Sequence, residues 1–168
     1  MHLLIYITLN NMKKVFTIAL ILFSSLSFAQ EKAFNIYDVT ADPFKQIENA
    51  KIQAQKENKN ILIQAGGNWC KWCKYFHKFS NENAKVDSIL KADYVVLHVN
   101  YSKENKNEKF FKEYSNAGRF GFPVFLVLNN SGELLHIQDS GYLEEEQGYS
   151  EEKVSRFLLL WNVKSTKK

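Results

Sequence analysis

Apolar positions along the chain switch between a helical and a strand-like period, and the switches mark out the elements. After Asp42, the residues Phe44, Ile47, Ala50 and Ala54 recur on one helical face, with Asp42 placed to cap the free amides and Pro43 suited to the first helical position. "NILIQA" (60–65) is an apolar run of strand length that stops at Gly66-Gly67. Beyond it Cys70, Cys73, Phe76 and His77 share a helical face, and the pattern resumes at Val86, Ile89 and Leu90 after the polar "SNENA", which predicts an interrupted helix. "YVVLHVN" (94–100) is continuously apolar and β-branched, so it is expected to be a central strand covered on both faces. "SKENKNEK" reads as a linker, "FFKEY" as a short helix, and "PVFLVLNNSGELLHIQ" as two strands joined in a hairpin. Ser150 is placed to cap a last helix in which Val154, Phe157, Leu158 and Trp161 fit one face. Strands alternating with helices, then a hairpin and a final helix, predict a three-layer α/β sandwich without repeats or a second domain.

The start of the chain has a different composition. From Met12, "MKKVFTIALILFSSLSFAQ" supplies Lys13 and Lys14, an apolar run from Val15 to Phe23, and Ser27-Phe28-Ala29 in the form of a cleavage site. This reads as a secretory signal peptide over residues 1–29, with Met12 as the initiator, residues 1–11 as an upstream extension, and the domain proper over 30–168. The apolar run is short for a membrane span of about 20 residues. Removing Lys13 and Lys14 from the 22 basic residues leaves 20 against 18 acidic ones, or +2, which is no footprint for nucleic acid. Export would carry the protein into an oxidising compartment, periplasmic or extracellular, where a thiol pair is meaningful.

That pair lies in "GGNWCKWCKYFHKF" (66–79), which holds the only two cysteines among 168 residues. A chain of this size needs no disulfide staple, a requirement that is usual only below about 70 to 80 residues. Two thiols at this spacing can exchange electrons, bind a metal or form an inert bridge. Placed where a strand passes through a glycine turn into a helix, Cys70 would face unpaired amides and the positive end of the helix dipole, and both favour a thiolate. Lys71 and Lys74 act in the same direction. Cys73, one turn further on, is then the thiol that resolves a mixed disulfide made by Cys70.

With "NWCKWCK" after a strand and "GFPVFLVLNNSGELLHIQDSGYL" after a second helix, the sequence resembles the thioredoxin superfamily over nearly all of the chain beyond the leader. The resemblance implies an α/β/α sandwich with a mixed central sheet and thiol-disulfide exchange on protein thiols or disulfides without a cofactor. A partner must recharge the pair, for instance a membrane electron carrier or another exported oxidoreductase. It also implies that Cys70 is the nucleophile, Cys73 the resolving thiol and Pro123 a cis-proline facing them, which leaves the backbone of Phe122 free to pair with an extended substrate and obstructs metal capture. Two positions depart from thioredoxin itself. Lys71-Trp72 replaces the Gly-Pro dipeptide, a lever on reduction potential in the family. Gln64 stands where thioredoxins carry a buried aspartate that helps to take the proton from the resolving thiol, and an amide cannot accept it.

Among the other candidates, Trp69, Trp72, Phe120 and Phe122 would form an apolar rim for a flexible substrate, with Trp72 the more exposed tryptophan because it sits between the cysteines on the first helical turn. His77 reads as a partly exposed helix residue, His98 as a core or edge residue, His136 as a hairpin residue without a role, and the "EEE" at 144–146 as a solvated loop. The rival function is a binding module, in which the two thiolates, with His77 or His98 as extra ligands, handle copper(I).

Overall fold

The computed structural model describes residues 34–167. Helix α1 (Pro43–Glu57) starts at Asp42, whose carboxylate accepts from Phe44 N at 2.9 Å, and ends at Asn58 in the left-handed conformation that closes helices. It leads into β1 (Asn60–Gly66), then α2 (Lys71–Glu82) and α3 (Ala84–Asp93). Asn83 both ends α2 and caps α3, its side chain accepting from Val86 N at 3.0 Å, so the interruption expected at "SNENA" is a shared cap. There follow β2 (Tyr94–Asn100), the short α4 (Glu108–Glu113), a 3-10 turn at Ala117–Phe120, and the hairpin of β3 (Val124–Leu128) and β4 (Leu134–Asp139). A second 3-10 turn at Ser140–Leu143 leads through the small ribbon of β5 (Glu144–Glu145) and β6 (Gly148–Tyr149) into α5 (Glu151–Leu160) and α6 (Val163–Thr166).

The main sheet has the order β2-β1-β3-β4, with β1 parallel to β2 and antiparallel to β3, so it is mixed. Because side chains alternate across a strand, β1 feeds two cores. Ile61, Ile63 and Ala65 pack with Ala50 and Ala54 of α1 and Phe110 of α4, while Leu62 joins Phe76 of α2, Val86 of α3 and Phe157 of α5. The three-layer α/β/α architecture follows directly. No helix among the described residues is long and apolar enough to cross a membrane.

Several expectations are corrected. β2 is an edge strand, whereas β1, buried at all seven positions, lies inside the sheet between β2 and β3. Both runs are continuously apolar because helices cover both sheet faces, and that covering reports nothing about how many strands lie alongside; mid-strand, Val96 of β2 remains exposed. Ser150 occupies the cap position of α5, but its hydroxyl makes no capping bond, and the first turn carries Glu151 and Glu152 against the helix dipole instead. The acidic run is not simply a solvated loop: Glu144 and Glu145 pair with Tyr149 and Gly148, and Glu144 accepts from Ser140 Oγ at 3.0 Å. His136 has a structural place, stacked on Trp161 with ring centroids 4.3 Å apart.

Candidate active site around the Cys70–Cys73 pair

β1 ends in the core and the chain must turn sharply to start α2, which is what Gly66 and Gly67 allow. A β carbon on Gly66 would lie 2.4 Å from Cys73 Sγ and 3.0 Å from the Tyr37 hydroxyl. One on Gly67 would meet Trp69 Nε1 at 2.4 Å and the Tyr101 carbonyl at 2.6 Å. The turn is therefore packed against sulfur on one side and against the end of β2 on the other. Cys70 is the N-cap of α2, in extended conformation, and forms a disulfide with Cys73. Its Sγ accepts from Cys73 N at 3.1 Å, the place a serine or aspartate oxygen takes in an ordinary cap. The first turn of α2 has no acidic residue. Lys71 and Lys74 stand there instead, held over the rings of Tyr75 and Phe34 at 5.2 and 5.5 Å. Cations at a helix N-terminus oppose its dipole, and a departure from local preference of this kind belongs at functional positions. Both sulfur residues are buried, Cys70 with 3% of its surface exposed and Cys73 with none.

The aromatic rim differs from the sequence expectation. Trp69, not Trp72, is the exposed tryptophan, at 58% of its surface. Its Nε1 donates to the Tyr101 carbonyl at 2.7 Å and its ring meets Phe122 edge-on at 5.9 Å. Trp72 is half-buried between Tyr75 and Tyr149, at 5.5 and 5.8 Å. Tyr149 arrives from the β5–β6 ribbon, which a reading of local spacing could not place beside Trp72. Phe122 stacks on Tyr101 at 4.6 Å and packs against the disulfide, and the Phe122–Pro123 peptide is cis. Phe120 is exposed, with the Arg119 guanidinium over its ring at 4.2 Å. Alongside Trp69 runs a groove of about 600 Å³ lined by Val39, Asn68, Tyr101 and Lys103.

Two residues of the site escaped the sequence reading. Tyr37 is fully buried and packs with Cys70 and Cys73. Asn68, inside the motif itself, holds it there: its Oδ1 accepts from Tyr37 N at 3.1 Å and its Nδ2 donates to Tyr37 O at 2.8 Å. The unusual amide between Gly-Gly and Trp-Cys was the one available signal. The Tyr37 hydroxyl makes no hydrogen bond of ordinary geometry; burial raises its phenol above the ordinary tyrosine range, and the nearby Gln64 amide draws it part of the way back.

Gln64 is buried under the pair and donates from Nε2 to the Cys73 carbonyl at 3.3 Å. His98, its register partner on β2, lies edge-on to Tyr37 at 5.5 Å and 6.2 Å from His77. The two histidines, Gln64 and Phe76 line a cavity of about 250 Å³. Among the described residues, no group of three or more His, Cys, Asp and Glu side chains could hold a metal ion. Burial, then the neighbouring His77, push His98 down from 6.5 to about 4. Above pH 6.5 both the folded and the unfolded chain carry a neutral imidazole. As pH falls below that value the unfolded chain takes a proton the folded one refuses, so stability is lost down to about pH 4. Urea titrations are expected to show a loss of about 2 kcal/mol from pH 7 to pH 5. His98→Gln should remove most of it, and an unchanged slope in that variant would show that another group is responsible. The lowered carboxylates, Asp38, Glu57, Glu104 and Glu151, destabilise only at more acidic pH.

A curated relative, the thiol:disulfide interchange protein DsbD of Actinobacillus pleuropneumoniae serotype 5b, is 27% identical over 110 residues, which is 62% of this chain and 18% of that protein. The chain thus spans less than a fifth of that relative's length. Among solved structures, a disulphide isomerase from Xylella fastidiosa Temecula1 shares the fold with a TM-score of 0.63 at 24% identity, over 73% of this chain and 93% of that one. The C-terminal domain of Neisseria meningitidis DsbD in its oxidised form gives 0.54 at 15% identity, over 74% and 100%. The family profile described as Thioredoxin-like matches residues 42–130, more than half of the 168, and its match takes in α1, the cysteine pair and the cis-proline; the chain belongs to the thioredoxin-like family.

Proposed function

We propose that the protein is an exported thiol-disulfide oxidoreductase acting on protein substrates through Cys70 and Cys73. The observation that carries this reading is the position of Cys70: a sulfur at the N-cap of α2, accepting a backbone N–H, beside two lysines and with no acidic residue in that turn. Each of these favours the thiolate of the reduced state. In the reducing direction the Cys70 thiolate attacks one sulfur of a substrate disulfide. A Cys70–substrate bond forms, the substrate S–S bond breaks, and the first substrate sulfur leaves as a thiolate. Cys73 then attacks Cys70 Sγ, restoring the intramolecular disulfide and releasing the second substrate thiolate. Oxidation of a substrate dithiol is the same sequence in reverse. Trp69, Phe122 and Pro123, with Trp72 at their margin, form the surface that receives the substrate backbone and side chains.

The leader composition of residues 12–29 supports export with cleavage near Ala29 and a domain from residue 30 onward; the leader lies outside the described residues. A dithiol-disulfide partner, such as a membrane electron carrier, returns the pair to its working state. The test is equilibration of the purified domain in glutathione redox buffers. A rapid, reversible two-electron transition is expected, and its midpoint sets the direction: near about −270 mV the pair is a reductase, near about −120 mV an oxidant. A pair inert to glutathione that instead retained stoichiometric copper(I) through gel filtration would replace this reading with the metal-handling one.

A further inference from the structure

In thiol-disulfide exchange as proposed above, on which this inference rests, Cys73 must shed a proton and hold a negative charge inside the protein before it can attack Cys70. The core offers little to help it. No Asp or Glu among the described residues is buried. Gln64 gives one amide N–H to the Cys73 carbonyl, and its side chain also lies close enough to Tyr37 to lower that phenol. The Tyr149 hydroxyl on β6 is directed to the Trp72 carbonyl at 3.4 Å. His98 on β2 turns its ring edge-on to Tyr37, and His77 on α2 lies behind it against Phe34. Lys71 and Lys74 lie over aromatic rings beside the helix.

One buried polar side-chain atom beside the sulfur is left without a hydrogen bond. The Tyr37 hydroxyl is buried, has no partner in the disulfide state, and closes on the same point beside Gly66 as Cys73 Sγ. We infer that Tyr37 is the hydrogen-bond donor that stabilises the Cys73 thiolate, a partner it lacks while Cys73 is in the disulfide and gains on reduction. A phenol whose burial disfavours ionisation keeps its own proton and can only donate to the thiolate. The Cys73 proton goes to water. During resolution the Cys73–Cys70 bond forms, the Cys70–substrate bond breaks, and the hydrogen bond from Tyr37 is given up as charge moves to the departing substrate sulfur. Asn68 acts through Tyr37: its two hydrogen bonds to the Tyr37 backbone tie the donor to the turn that carries Cys70.

The decisive comparison uses the reduced protein with Cys70→Ser, so that Cys73 is the only sulfur of the pair, with and without Tyr37→Phe. The thiolate absorbance of Cys73 is followed against pH. Phenylalanine keeps the ring packed on His98 and removes only the hydroxyl. The Cys73 pKa is expected to rise in Tyr37→Phe and to rise less in Asn68→Ala. In the two-cysteine protein, Tyr37→Phe should slow release of a mixed disulfide about tenfold near neutral pH and shift the glutathione equilibrium about tenfold toward the disulfide, some 30 mV more negative. The oxidised protein should lose no thermal stability, since it gives up an unpaired hydroxyl. Identical Cys73 titrations with and without the hydroxyl would overturn the inference. That titration needs no turnover, so a wild-type protein that failed to exchange disulfides would end the proposed function while the role of Tyr37 was still judged.

Discussion

Cys73→Ser is expected to turn the protein into a trap. Cys70 keeps its place at the N-cap of α2, where free amides, the helix dipole and two neighbouring lysines favour its thiolate, so attack on a substrate disulfide goes ahead. The mixed disulfide then persists, because the sulfur that should break it is gone and an external thiol must do the work. Intramolecular attack by a sulfur one helical turn away has an effective concentration far above that of any dissolved thiol, so turnover should fall about a thousandfold or more. Cys70→Ser should lose turnover to the same extent without accumulating an adduct, since Cys73 lacks the N-cap position that favours the Cys70 thiolate and exposes no surface of its own. Non-reducing electrophoresis after mixing with a disulfide-bonded protein separates the two. Covalent adducts with both variants would cancel the division of roles between the sulfurs, and intact turnover in Cys73→Ser would remove Cys73 from the reaction.

The local frame of the cysteine pair was legible in the sequence because it depends on short-range features. The strand-to-helix junction, the glycine pair and the spacing of Cys70 and Cys73 lie close together along the chain, and local periodicity is enough to place them. α1, with Asp42, Pro43 and its buried stripe, was readable for the same reason. What could not be read was set by contacts far apart in the chain. Tyr37 belongs to no helix or strand and is brought to the sulfurs by Asn68, 31 positions later. Trp72 is half-covered because the β5–β6 ribbon returns Tyr149 to it, a contact that reverses the expected order of exposure of the two tryptophans. The same limit explains β2. Its apolar run recorded the helices packed over it and held no record of whether one strand or two lay alongside. Gln64 was identified as a departure from thioredoxin, but that it would bond to the Cys73 carbonyl beside a phenol without a hydrogen bond of its own emerges only in three dimensions.

The close packing at that sulfur predicts the largest stability effect in the site. Gly66→Ala would put a methyl carbon 2.4 Å from Cys73 Sγ and 3.0 Å from the Tyr37 hydroxyl, and neither has room to retreat. The sulfur is tethered to Cys70, and Tyr37 is held by Asn68 from the following turn. Overpacking of this kind costs typically about 1–3 kcal/mol, and with both neighbours fixed the oxidised protein is expected to lose about 3 kcal/mol in urea unfolding. Reduction frees Cys73 Sγ to rotate, so the same substitution should cost visibly less in the dithiol protein. Gly66→Ala should therefore shift the redox equilibrium toward the reduced form, opposite in direction to Tyr37→Phe. Gly148→Ala is the control: nothing lies within 4 Å of the position its methyl carbon would take, and its effect should stay within about 0.5 kcal/mol. Equal losses for Gly66→Ala in the oxidised and reduced proteins would mean that the methyl group strains the turn itself and that Cys73 Sγ is not the atom it displaces.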